Sequence, residues 1–116
     1  MIACIPAFNE QDTIGQVVRE THRYVDLVVV CDDGSTDATC ERASEAGALV
    51  VRHKENMGYG AALRTLFTVA RKLDPPVMVT LDADLQHDPR YIPRLVRPVL
   101  SGQAEIVVAV SYTHLR

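Results

Sequence analysis

Residues 79–89, VTLDADLQHDP, place Asp82, Asp84 and Asp88 directly after an apolar run, with Gln86 and His87 among them. Side chains two apart on a strand point the same way, so if the strand persists through Asp82, the carboxylates of Asp82 and Asp84 face one small volume. Two like charges that close raise each other's proton affinity unless a cation joins them. A hard divalent ion, Mg²⁺ or Mn²⁺, meets that need, because it takes oxygen ligands and often shares them with substrate phosphates. Gln86, again two residues on, adds a carbonyl oxygen. His87 is assigned to the surface or to a hydrogen bond rather than to Mn²⁺. Asp88 before Pro89 is a helix start.

Asp32 and Asp33, in DDGSTD, raise the same question without an obvious cation. A carboxylate at a strand end can instead accept hydrogen bonds from a ribose hydroxyl or a base N–H. Gly34 permits a sharp turn, Ser35 or Thr36 can cap the next helix, and Asp37 suits the dipole of its first turn. In NMGYGAA, Gly58 and Gly60 open a third helix. There a turn with close helix-to-sheet packing competes evenly with backbone contact to a phosphate. Arg64, one turn in, is assigned to the surface.

Strand-length apolar runs rich in β-branched residues position these clusters: residues 2–5, 27–31, 49–51, 77–81 and 106–110. Helical spacing fills the intervals. Ile14, Val17, Val18 and Thr21 mark one apolar face, and Ala61, Leu63, Leu66, Phe67 and Ala70 another. Asp12 or Thr13 can cap the first helix. Gly47 and Gly102 sit where a left-handed C-terminal residue belongs, and Pro98 predicts a kink or a short fourth helix. The order βαβαβαβαβ, with strands too continuously apolar to keep a wet face, predicts an α/β fold: a parallel sheet with helices on both sides. Right-handed crossovers then gather PAFNE, DDGSTD, HKENMGYGA and DADLQHD along the edge formed by the strand C-termini, where open α/β sheets bind ligands.

Composition narrows the partners. A net charge of −3 with interspersed acids and bases offers no basic stripe for a phosphate backbone, so nucleic acid is not expected. No apolar run approaches the roughly 20 residues that span a bilayer, and MIACIPAFNE lacks the form of a secretory leader, so a soluble segment that starts in the cytosol is expected. Cys4, Cys31 and Cys40 have no C-x-x-C spacing and are expected to be small reduced side chains, not metal or disulfide partners. At 116 residues the chain is one small domain or part of one.

Taken together, IPAFNE, VVVCDDGSTDAT, ENMGYGAAL and VTLDADLQHDP resemble family 2 glycosyltransferases of the GT-A fold, most closely the branch that makes polyprenyl-phosphate and dolichyl-phosphate sugars. The likeness covers residues 2 to about 109 in order and spacing. It implies that Pro6, Ala7, Phe8 and Glu10 flank the nucleoside, with Glu10 and Asp33 near base and ribose and Asp32 in the same pocket. Asp82 and Asp84 would form the D-x-D pair. Asp82, Asp84 and Gln86 would serve the metal, with catalysis assigned to Asp84. Phe8 stands where a tyrosine is common. The implied reaction moves a sugar from a UDP- or GDP-linked donor to a lipid phosphate with inversion, at the membrane surface. A cation there would stabilise charge on the departing diphosphate, and an anionic acceptor needs no general base.

The likeness ends at AEIVVA. The family continues with glycine, serine and arginine, whereas this chain reads VSYTHLR, which resembles translated sequencing-adapter read-through. Residues 1–109 are therefore expected to be a partial nucleotide-sugar-binding domain and residues 110–116 a non-native tail, with no role for Tyr112, His114 or Arg116. The isolated segment is expected to bind nucleotide weakly and not to turn over. The alternative is a non-catalytic regulatory module that binds a nucleotide or phosphate on a similar sheet. A receiver domain would place its acids after strands one and three, and a dinucleotide-binding dehydrogenase would show G-x-G-x-x-G where PAFNEQ stands.

Overall fold

The computed structural model of the chain describes residues 1–83 and 107–108. Its elements run β1 (Ile2–Ala7), α1 (Ile14–Thr21), β2 (Leu27–Asp32), α2 (Thr39–Glu45), β3 (Leu49–Arg52), α3 (Tyr59–Leu73), β4 (Met78–Thr80) and β5 (Val107–Val108). All strand pairs are parallel, in the order β3-β2-β1-β4-β5. The chain thus builds outward from β1 to β3, then returns across to place β4 on the other side of β1. That reversal is the switch point at which open α/β sheets leave a crevice.

Strand alternation sends side chains to opposite sheet faces and fixes which helix each one meets. Ala3 and Ile5 of β1, Val28 and Val30 of β2, and Val79 of β4 pack with Ile14, Val17 and Val18 of α1 and Ala43 of α2. Ile2 and Cys4, Val29 and Cys31, and Met78 face the other way, onto Ala62, Leu66 and Ala70 of α3. Each fully buried Val, Ile or Leu contributes about 1.5–3 kcal/mol, so the two layers hold the sheet from both sides. Ile14, Val17, Val18 and Thr21 are all buried, as the spacing predicts. Burial pushes the Cys4 thiol up to about 12, leaving it inert at neutral pH.

Four expectations require correction. On α3 the buried face is Ala61, Ala62, Leu66 and Ala70, while Phe67 is 37% exposed; small alanines let the helix sit close to the sheet and turn Phe67 outward. β3 lies at one end of the sheet, and Leu49 is exposed rather than covered on both faces. The second helix starts at Thr39, not after Ser35 or Thr36, and neither caps it. β4 stops at Thr80, so the strand does not persist through Asp82. Gly47 does follow α2 with a positive φ of 106°. Thr13 occupies the N-cap position of α1 without a side-chain capping bond. The expected fourth helix, Pro98, Gly102, the 109 boundary and the 110–116 tail lie outside the described residues.

Candidate functional site

The C-terminal ends of β1, β2 and β4 open onto a cleft of about 430 Å³ at the switch point. Pro6, Ala7, Phe8 and Glu10 line it from the end of β1 and the loop that follows. Asp33 enters from the end of β2, and Asp82 and Ala83 from the end of β4. Asn56, Gly58, Tyr59 and Ala62, from the loop before α3 and its first turns, close the remaining side. Phe8 is 42% exposed, an aromatic face held at the rim rather than spent on the core.

Strand alternation explains which acids arrive. Asp32 follows the face of Val28 and Val30, away from α3; Asp33 follows Val29 and Cys31 toward it. Asp32 is therefore fully buried and does not line the cleft. One of its oxygens accepts the Ser35 N–H at 3.0 Å. The other has no hydrogen-bond donor, and the Arg52 guanidinium lies 3.5 Å away as an ion pair. Asp82 similarly shares the parity of Met78 and reaches the cleft although β4 has already ended.

Asp33 does more than present a charge. Its Oδ1 accepts hydrogen bonds from His53 Nδ1 at 2.7 Å and from the Met57 N–H at 2.9 Å, and its Oδ2 accepts the Gly58 N–H at 2.9 Å. Burial alone would raise the proton affinity of this carboxyl; the bonds from His53, Met57 and Gly58 outweigh it and hold the group below the usual carboxylate range. It is thus an anion that also ties the loop before α3 to the end of β2. Gly34 makes that crossing possible. It has φ +74°, and a Cβ placed on it would stand 2.3 Å from the Glu55 carbonyl carbon and 2.5 Å from the Asn56 nitrogen.

Much of the polarity in PAFNE and GSTDAT joins the two loops to each other. Asn9, itself left-handed at φ 51°, donates its N–H to Ser35 Oγ at 2.9 Å and accepts the Thr36 N–H on Oδ1 at 2.9 Å. The Glu10 N–H donates to Thr39 Oγ1 at 2.8 Å, and the Ala38 N–H to Gln11 Oε1 at 3.1 Å. Asp37 accepts the Thr39 N–H at 2.9 Å and the Thr39 hydroxyl, the work of a helix start rather than of a distant dipole. Thr13 Oγ1 donates to the Ala83 carbonyl at 2.6 Å, joining the start of α1 to the turn after β4. These bonds fix the loop ends that carry Phe8, Glu10 and Ala83.

Of the residues singled out from sequence, Pro6, Ala7, Phe8, Glu10, Asp33 and Asp82 converge on the cleft, Asp32 lies behind it, and Asp84, Gln86, His87 and Asp88 lie outside the described residues. Among the described residues no three His, Cys, Asp or Glu side chains cluster as a metal site. What the cleft supplies is hard oxygen donors, among them Asp82, the first carboxylate of the D-x-D segment, a chemistry that fits Mg²⁺ or Mn²⁺ and not a soft metal. Gly58 has φ 101° at the start of α3 with open space around it, and Gly60 approaches only the end of the Arg64 side chain. Gly58 therefore serves its left-handed backbone conformation, and neither glycine marks close helix-to-sheet packing. Arg64 is exposed, as expected.

Sequence reasoning passed over Tyr59 and His53. Tyr59 lines the cleft, and partial burial together with the charge of Asp82 raises its hydroxyl pKa. His53 is the first residue after β3, and its position at the head of a polar loop was the available signal. The Cys31 thiol, 3.6 Å from His53 Nε2, is pushed up to about 11 by burial and then by the charges of Asp33 and Asp32. No described helix is long and apolar enough to cross a membrane.

Comparison with known proteins agrees with this architecture. The family described as Glycosyl transferase family 2 matches residues 2–115. The UDP-N-acetylglucosamine–dolichyl-phosphate N-acetylglucosaminyltransferase of Methanococcus voltae is 32% identical over 123 residues, covering 90% of this chain and 49% of that protein. The dolichyl-phosphate hexose transferase of Haloferax volcanii is 36% identical over 97 residues, covering 82% of this chain and 41% of that protein. Among solved structures, glucosyl-3-phosphoglycerate synthase from Mycobacterium tuberculosis in complex with Mn²⁺, UDP-glucose and phosphoglyceric acid superposes with a TM-score of 0.73 at 32% identity, covering 88% of this chain and 39% of that one. The same enzyme has been solved with Mg²⁺ and UDP. The chain spans half or less of the length of each of these relatives. With its parallel sheet, its switch-point cleft and a match that runs nearly end to end, the chain belongs to glycosyl transferase family 2, on the GT-A fold.

Proposed function

We propose that this chain forms the donor-binding half of an inverting glycosyltransferase that moves a sugar from a UDP- or GDP-linked donor to a polyprenyl or dolichyl phosphate. The observation that carries this is the convergence of Phe8, Glu10, Asp33 and Asp82 on one cleft at the switch point. The relatives named for dolichyl-phosphate transfer support the acceptor class. Phe8 offers the nucleoside an apolar face, and Glu10 and the anionic Asp33 accept hydrogen bonds from base and ribose. Asp32, behind the cleft, supports the turn that aims Asp33.

Mg²⁺ or Mn²⁺, held by Asp82, Asp84 and Gln86, would supply positive charge against the leaving diphosphate. Asp82 would hold that cation at the wall of the cleft, and the acceptor phosphate, already anionic, requires no base from the chain. On this reading the whole protein works at a membrane surface, in the cytoplasm. A phosphorylated small acid is a second acceptor to test, because a structural relative was solved with phosphoglyceric acid.

Two measurements test the proposal. Calorimetry of this chain with UDP and with GDP, each with and without Mn²⁺, should show metal-dependent binding that Asp84→Ala removes; metal-independent binding unaffected by that change would refute the metal assignment. Incubating the whole protein with UDP-sugars or GDP-sugars and either undecaprenyl phosphate or 3-phosphoglycerate should yield a lipid-linked sugar of inverted anomeric configuration. Product on phosphoglycerate alone would move the acceptor class, and no product on either would defeat the transferase assignment.

A further inference from the structure

We infer that His53 is a positioning residue of this cleft: through Asp33 it sets both the carboxylate that meets the nucleoside and the Met57–Gly58 backbone, of which Gly58 lines the cleft. The inference rests on the nucleotide assignment proposed above and adds a residue that does not itself line the cleft. His53 sits at the end of β3 with its side chain only 11% exposed, between β2 and α3. Its Nδ1 lies 2.7 Å from Asp33 Oδ1 and its Nε2 lies 2.7 Å from Thr65 Oγ1. An ionised carboxylate only accepts, so Nδ1 carries the proton toward Asp33. In the neutral ring, Nε2 then accepts from the Thr65 hydroxyl on α3.

Geometry makes this bond consequential. Asp33 Oδ1 is shared between His53 and the Met57 N–H, and Oδ2 takes the Gly58 N–H. With both oxygens engaged, the carboxylate plane is fixed about its Cβ–Cγ bond, and the loop that precedes α3 is fixed with it. Without the His53 donor the carboxylate keeps only the two loop amides and loses its tie to the β3 and α3 side, so Asp33 and the loop can shift together toward the open cleft. Thr65 and the neighbouring Cys31 thiol, 3.6 Å from Nε2, hold the ring from behind. The chain of contacts therefore runs from α3 through the imidazole to the carboxylate and ends in the cleft wall.

The test uses two replacements that differ in where they place a donor. An asparagine amide nitrogen occupies the place of Nδ1, whereas a glutamine amide reaches toward that of Nε2. In calorimetric titrations with UDP and GDP plus Mn²⁺, His53→Ala and His53→Gln should weaken binding about tenfold, the loss that one charge-assisted hydrogen bond brings. His53→Asn should recover most of it. Circular dichroism melts of all variants check that the fold is intact; if His53→Ala does not fold, the Asn and Gln variants alone decide. Equal affinity for the Asn and Gln variants, or affinity unchanged in His53→Ala, overturns the positioning role while leaving the nucleotide site in place. No binding by the unsubstituted chain overturns the nucleotide assignment, and this inference with it.

Discussion

Replacing Gly34 by alanine should displace the loop that walls the cleft, and the size of the effect follows from the structure. A Cβ at this position would stand 2.3 Å from the Glu55 carbonyl carbon, 2.5 Å from the Asn56 nitrogen and 2.8 Å from the Glu55 Cα, all backbone atoms that no rotamer change can move aside. The loop must retreat by about 1 Å to restore the 3.4 Å of ordinary contact. Such a retreat stretches the bonds that Met57 and Gly58 donate to Asp33, now 2.9 Å each, beyond useful length. The left-handed conformation at φ +74° costs an L-residue about 1–2 kcal/mol. Loss of one charge-assisted bond adds about 1.5–3 kcal/mol, so Gly34→Ala should destabilise the chain by about 2.5–5 kcal/mol. Urea unfolding measures this as a fall in midpoint with an unchanged slope. A loss below about 1 kcal/mol would show that the loop does not rest on Gly34, and the account of how Asp33 is held would fail with it.

The other predictions separate the cleft from the core. Asp33 is an acid whose folded-state pKa is depressed, so its contribution to stability is complete above the ordinary carboxylate value of 3.8 and is lost as the pH falls through the lower folded value. Acid titration of the urea midpoint should therefore fall less steeply for Asp33→Asn than for the parent chain below about pH 4; parallel curves would contradict the assignment. Phe8→Ala should change stability by less than about 0.5 kcal/mol, because the ring is exposed. It should nonetheless cost nucleotide binding about 0.5–1.5 kcal/mol by calorimetry, and an unchanged affinity would remove Phe8 from the site.

The sheet was legible in sequence because its signals are local and redundant. Each apolar run lies between turn residues and became a parallel strand, and the C-terminal ends of β1, β2, β3 and β4 meet polar loops. The helical faces were legible where β-branched residues repeat, as at Ile14, Val17 and Val18, and less so on α3, where alanine packing against the sheet outweighed the larger Phe67. The separation of Asp32 from Asp33 was also present in the sequence: adjacent residues at a strand end must diverge, and only one of them could enter the cleft. What local pattern could not carry was long-range pairing. The His53–Asp33 bond, the Thr13–Ala83 bond and the Asn9–Thr36 bond join residues 20, 70 and 27 positions apart. Ser35 and Thr36 resembled caps because their residue types suit caps, yet their atoms are engaged by the β1 loop.

The central claim is that a nucleotide occupies the switch-point cleft, and amide chemical-shift mapping of the ¹⁵N-labelled chain tests it most directly. Titration with UDP or GDP in the presence of Mg²⁺ should move the resonances of Phe8, Asp33, Gly58 and Asp82, which surround the cleft. It should leave Gln16, Arg19 and Glu45 in place, since these line a separate depression between α1 and α2. Shifts confined to that second depression, or none at saturating nucleotide, would contradict the account.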